Sequence, residues 1–148
     1  MLIIRRAVLD AVLAHACSGH PDISCGFVAG QIGSDRPERH VPMRNAEPSR
    51  TYWRFDPLEQ VRAWTDMDDR GEEPVVIYYS QDLPDAVLSK MTISYAVEEQ
   101  AHYLVVSTFR PDEPRYRSFR VRDGRAVEDE IAVLDEPVIE DQISDRRP

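Results

Sequence analysis

The chain has 148 residues, with 18 Lys and Arg against 27 Asp and Glu for a net charge of -9, and it is 42% hydrophobic and 8% aromatic. That size fits one globular domain, which buries about two-thirds of its unfolded surface without covalent staples. The acidity argues against a general nucleic-acid binder, which needs a basic patch for phosphates, and against docking on an anionic membrane.

Two cysteines, Cys17 and Cys25, are too few for a disulfide framework. Cys25 lies in an apolar run and reads as a small core residue. Residues 1–6 show no long apolar core behind a basic start, so no signal peptide is expected. No apolar run approaches the ~20 residues that span a bilayer. The expected compartment is a reducing cytoplasm.

Residues 4–17 read as an amphipathic helix, with Val8, Leu9, Val12, Leu13 and Ala16 on one face and Gly19 and Pro21 ending it. Residues 24–32 read as a buried strand whose Gly26 and Gly30 suggest close backbone approach or a bulge. Gly33-Ser34-Asp35 is a turn signal, and residues 39–44 read as a second, antiparallel strand. Asp56-Pro57-Leu58-Glu59 is a helix start of the capping-box kind, running to about Arg70 with Leu58, Val61, Trp64 and Met67 on one side and Gly71 as the stop.

Residues 74–80 read as the central strand, apolar on both faces at Val75, Val76 and Ile77. A loop leads to a short helix over about 90–98. Residues 102–109 read as another buried strand, and 116–122 as a half-exposed one. Asp123-Gly124 is a hairpin turn, and 127–134 reads as one last strand. Residues 1–135 then form one domain. Residues 136–148 are polar and proline-bounded, and read as an acidic, flexible tail. The order of elements implies an α/β sandwich, a mixed central sheet flanked by helices.

The chemistry is thin. His15, His20, His40 and His102 have no ligand spacing, and no HExxH, CxxC, phosphate loop or GxSxG elbow is present. Each histidine reads as surface or structural rather than as a metal ligand. What remains is a polar cluster after the central strand, Tyr79-Ser80-Gln81-Asp82, with Ser89, Lys90 and Thr92 following the loop.

Four blocks resemble the JAMM/MPN (Mov34/PAD-1) family. His20 to Gly30 is similar to its HPxEACGxxAG, and Met43-Arg44-Asn45-Ala46 to its PxxNxA. Tyr78 to Ala96 resembles YHSHxxxxxxPSxxDxxYA, and Ala101 to Ser107 resembles AHYxxVS. The resemblance covers about residues 2–134. It points to the small actinobacterial type that removes cysteine or amino acids from the C-terminus of a ubiquitin-like sulfur-carrier protein. It implies a cytidine-deaminase-like α/β sandwich.

The family binds zinc with two histidines and an aspartate. These positions carry Tyr79, Gln81 and Thr92 here, and the glutamate that deprotonates the metal-bound water falls on Ile23. Neutral Tyr, Gln and Thr are poor zinc ligands, a catalytic zinc needs about three protein ligands, and Ile23 cannot act as a base. No metal and no other cofactor is expected. Ser80 and Ser89 match the motif's serines. The family's counterpart of Ser89 helps hold the oxyanion, while serine is also a preferred helix N-cap. Asp22 reads as a turn residue, and Asp82 and Asp85 as solvated loop carboxylates.

Three readings follow. The first is a metal-free relative that binds a sulfur carrier, another ubiquitin-like protein or an active homologue without cutting it, by strand addition. The second is a repurposed enzyme of a biosynthetic pathway, acting on a small polar metabolite or an acyl or amide group through Tyr79, Ser80, Gln81, Ser89 and Thr92. Lys90 is its one candidate base or nucleophile. The third is a residual metallopeptidase using Asp82, Asp85 or His20. An exposed apolar face would support a homodimer.

Overall fold

The computed structural model describes residues 1–47, 49–95 and 98–135. The expected tail, 136–148, lies outside the described residues. The elements are β1 (Leu2–Arg5), α1 (Arg6–Ser18), β2 (Cys25–Gln31), β3 (Arg39–Met43), α2 (Pro57–Arg70), β4 (Glu72–Gln81), α3 (Lys90–Tyr95), β5 (His102–Ser107), β6 (Arg115–Arg122), β7 (Arg125–Asp129) and β8 (Ile131–Leu134).

Six strands form a mixed sheet in the order β3-β2-β4-β5-β6-β7. β4 pairs antiparallel with β2 and parallel with β5. β4 and β5 are buried nearly throughout, which is why both read as apolar runs rather than alternating patterns. Helix α1 covers one face with Leu9 and Val12 against Val28, Val76, Tyr78 and Leu104. Helix α2 covers the other, where Met67 and half-buried Trp64 meet Phe27, Ile77, Tyr79 and Tyr103. The result is the expected α/β sandwich.

Gly30 shows the predicted close approach: a Cβ there would lie 2.0 Å from the Arg36 carbonyl oxygen. The β2–β4 register shifts between Val28 and Ala29, leaving Val75 as the extra residue on β4. Asp56 caps α2, its Oδ2 accepting from the Glu59 N–H, and Gly71 ends the helix with φ 69°. The capping box is only half made, because Glu59 accepts from the Arg44 N–H instead of turning back. Asp123 and Gly124 both take positive φ, as a tight hairpin requires.

Three expectations need correction. Ile4 and Arg5, expected to open the first helix, belong to a strand over residues 2–5 that pairs in parallel with β8 in a separate two-stranded sheet. The predicted last strand is two strands: β7 stays with β6, and β8 leaves after Glu130 to join β1. Leu58 and Val61, expected on the buried stripe of α2, are exposed, and Met67 is its buried residue. No helix among the described residues is long and apolar enough to cross a membrane.

Candidate functional site

β4 delivers its last residues, Tyr79, Ser80 and Gln81, fully or nearly buried. A strand sends successive side chains to opposite faces. Tyr79 and Gln81 therefore share a face. Ser80 does not join them: its Oγ accepts from the Ser24 N–H at 2.9 Å, tying β4 to the entry of β2.

Tyr79 is the centre of the site. Its ring stacks on Trp53 with centroids 5.1 Å apart and planes at 23°. Trp53 touches Phe55, and Phe55 touches Trp64, so an aromatic chain runs from the site to α2. Pairs of this kind contribute about 1 kcal/mol each beyond their buried area. The phenol oxygen accepts two hydrogen bonds, from the Ser89 N–H at 2.9 Å and from Gln81 Nε2 at 3.3 Å. Gln81 is fixed at both ends of its amide by Val87, donating to the Val87 carbonyl at 2.8 Å and accepting from its N–H at 3.4 Å.

Ser89 extends the chain to Thr92. Their hydroxyls are 2.7 Å apart, and Ser89 Oγ accepts from the Thr92 N–H at 3.1 Å, so Ser89 caps α3. Gln81, Tyr79, Ser89 and Thr92 thus form one connected polar network, in which the single contact between the Ser89 and Thr92 hydroxyls uses one of their two hydrogens. The Tyr79 O–H hydrogen has no acceptor among the described residues. Ile23 is 7% exposed and lies in the same apolar cluster as Tyr79.

Residues 45–47 and 49–55 border this arrangement. Asn45 donates to the Ile23 and Tyr52 carbonyls and accepts from the Glu47 and Arg54 N–H groups. The Ile23 N–H donates to the Ser49 carbonyl, and Arg50 pairs with Asp82 at 2.7 Å. Asp82 is therefore an ion-pair partner and not the free, solvated carboxylate expected from sequence. Asp85 is exposed and, with Phe109, Arg110 and Arg115, lines a neighbouring cavity of about 260 Å³. Asp22 is an exposed turn residue whose N–H donates to the Gly19 carbonyl. Lys90, the candidate base or nucleophile, is exposed at the start of α3.

No histidine bonds to Tyr79, Ser89 or Thr92 among the described residues, and His20 reaches the site only through Thr108, whose Oγ1 donates to the Gln81 carbonyl at 3.3 Å. His102 is fully buried between Asp35 and Asp129, which take its two ring nitrogens, and Arg120 also reaches Asp35. His15 and His40 meet at Tyr78, and His20 lies 3.1 Å from Thr108 Oγ1. Among the described residues no group of three or more His, Cys, Asp or Glu side chains converges to hold a metal.

Residues 5–122 match the family model described as prokaryotic homologs of the JAB domain. The chain belongs to that family. This JAB-family protein is 45% identical over 136 residues to the CysO-cysteine peptidase of Mycobacterium tuberculosis, covering 92% of its own length and 93% of the relative's. A protein from Desulfitobacterium hafniense has a similar solution structure, with TM-score 0.78, 28% identity and coverage of 92% and 94%. The JAB1/MPN domain protein of Archaeoglobus fulgidus shares the fold, with TM-score 0.60, 19% identity and coverage of 91% and 100%.

The residues of this JAB protein do not fit the family's zinc. Tyr79 Oη already accepts two N–H groups, Gln81 is held by the Val87 backbone, and Thr92 is bonded to Ser89. These are neutral oxygen and amide groups, where zinc selects imidazole, thiolate or carboxylate. Ile23, where the resemblance puts the water's base, supplies only an alkyl group. The stack on Trp53 and the clamp by Val87 were not legible from motif spacing. An isolated Trp53 and Phe55 in a polar loop were the available signal.

Proposed function

We propose that this chain binds the C-terminal tail of a ubiquitin-like sulfur-carrier protein, or an active homologue, in the cytoplasm and without zinc-dependent hydrolysis. The observation that carries the reading is Tyr79: a buried phenol, where the resemblance puts a zinc ligand, is bonded by Ser89 and Gln81 and stacked on Trp53. Resemblance over nearly the full length to a peptidase named for a carrier supports the partner class. Loss of metal ligands leaves the sheet and its covering loop intact, and extended tails commonly bind beside such strands. Fold alone does not fix function, so the tail is the point to test.

Calorimetric titration with a carrier ending in Gly-Gly, and with the same carrier lacking those glycines, tests it. Binding that requires the tail is expected. No binding to the carrier or to an active homologue would sink the proposal.

A second reading rests on the Tyr79 O–H hydrogen. A buried hydroxyl without an acceptor suits a ligand oxygen, which favours a small polar metabolite or an acyl or amide group handled by hydrogen-bond donation. A tail carbonyl would serve equally. Loss of tail binding in Tyr79→Phe, with the fold retained, would assign the hydroxyl to the carrier.

A further inference from the structure

On the other face of β4 three titratable side chains share one oxygen. Tyr78 is fully buried, and its Oη lies 2.6 Å from His15 Nδ1 and 2.6 Å from His40 Nε2. His15 comes from α1 and His40 from the edge strand β3, with ring centroids 6.0 Å apart. The neighbouring strand makes room for the hydroxyl. A Cβ on Gly26 would sit 2.5 Å from Tyr78 Oη, so β2 carries glycine there.

Two contacts need two hydrogens. The phenol has one O–H, and it serves an imidazole that offers a bare nitrogen. The second imidazole must supply its own N–H to the phenol oxygen. That second imidazole can take a proton on its far nitrogen without breaking either contact. Protonating both is different. The phenol hydrogen then has no acceptor in a buried setting, and two cations face each other across it.

We propose that His15, Tyr78 and His40 form a pH-sensitive latch that fastens α1 and β3 to the sheet while at least one imidazole is neutral, and that releases them when both are protonated. The groups that face the latch are His15 from α1, His40 from β3 and Tyr78 from β4; β2 contributes Gly26, which has none. Cys25, also on β2, is a thiol that burial pushes up to about 12, so it stays uncharged. Burial lowers the His15 pKa. At His40 burial acts first and the neighbouring His15 second, both lowering it. Burial raises the Tyr78 phenol, which stays protonated and keeps its O–H.

The sign follows from those directions. The folded chain holds fewer protons on these imidazoles than the unfolded chain does just below the ordinary value of about 6.5. The latch therefore contributes fully above that pH. Its contribution falls as pH drops from there through the lowered folded-state values. Because Tyr78 and Tyr79 are consecutive on β4, release on one face loosens the strand that presents the site on the other.

Ring NMR of the full chain from pH 8 to 4.5 reads the latch directly. Two separate steps are expected, the second proton binding at least tenfold more weakly than to an ordinary histidine. Hydrogen-exchange protection of α1 should fall across that second step. Independent titration of both rings with ordinary affinity would overturn the proposal. In His40→Gln, which cannot take the second proton, α1 protection should be flat from pH 7.5 to 5. An acid response there as large as the parent's would also overturn it, as would its loss in His20→Gln, outside the latch.

Discussion

Tyr78 and Tyr79 follow one another on β4 and point to opposite faces of the sheet, each with a buried hydroxyl that makes two hydrogen bonds. Their partners differ in kind. Tyr78 is held by two imidazoles, His15 and His40. Tyr79 is held by a backbone N–H and a carboxamide, Ser89 and Gln81. The first set takes up protons as pH falls below the ordinary histidine range, and the second has no group that does. The α1 face thus holds its tyrosine with groups that exchange protons, while no imidazole or carboxylate bonds to the Tyr79 hydroxyl among the described residues. A site without an ionisable ligand or base can recognise by shape and hydrogen bonding, but it has little means of activating water.

The largest effect expected is a change of kind on the Tyr79 face. Combining Ile23→Glu, Tyr79→His, Gln81→His and Thr92→Asp should give a protein that binds one zinc per chain, where the parent binds none. Metal analysis after dialysis checks this. Gain of zinc by the parent alone would erase the contrast between the faces. Next is Gly26→Ala, which drives a methyl group into the Tyr78 hydroxyl. Overpacking of this kind should cost about 3 kcal/mol in urea unfolding. A neutral result would mean that the phenol has room to move and is not fixed between its imidazoles.

The smallest is Tyr79→Phe. It leaves the Ser89 N–H and one N–H of Gln81 Nε2 without their acceptor, at about 1–2 kcal/mol, while Gln81 keeps the Val87 carbonyl. Because neither partner titrates, the loss should be the same at pH 7.5 and 5.5. A loss that changed between those values would show that an ionisable group is coupled to Tyr79 and would collapse the distinction between the two tyrosines.

Much of the fold was legible in the chain because its punctuation is strong. The cap at Asp56, the stop at Gly71 and the buried runs of β2, β4 and β5 are local signals with local causes. β1 was not, since Leu2 to Ile4 precede α1 without a break and gain their strand state from β8, more than 120 positions away. The exposed Leu58 and Val61 match the helical period as well as Met67 does, so only packing separates them. At the site, the family resemblance brought Tyr79, Gln81, Ser89 and Thr92 together. Reading residues 79–82 as one polar cluster misplaced Ser80 for a reason visible in hindsight, because alternation along a strand separates neighbours. Trp53 and Val87 act through the fold of two loops, and no motif joins them to Tyr79.

The most direct test is incubation of the protein, supplied with excess zinc, with a sulfur carrier bearing a C-terminal cysteine. Intact-mass spectrometry follows the carrier, and metal analysis follows the protein. The carrier should keep its cysteine while remaining bound, and no stoichiometric zinc should stay with the chain. Release of the cysteine by a protein that retains one zinc would contradict the account.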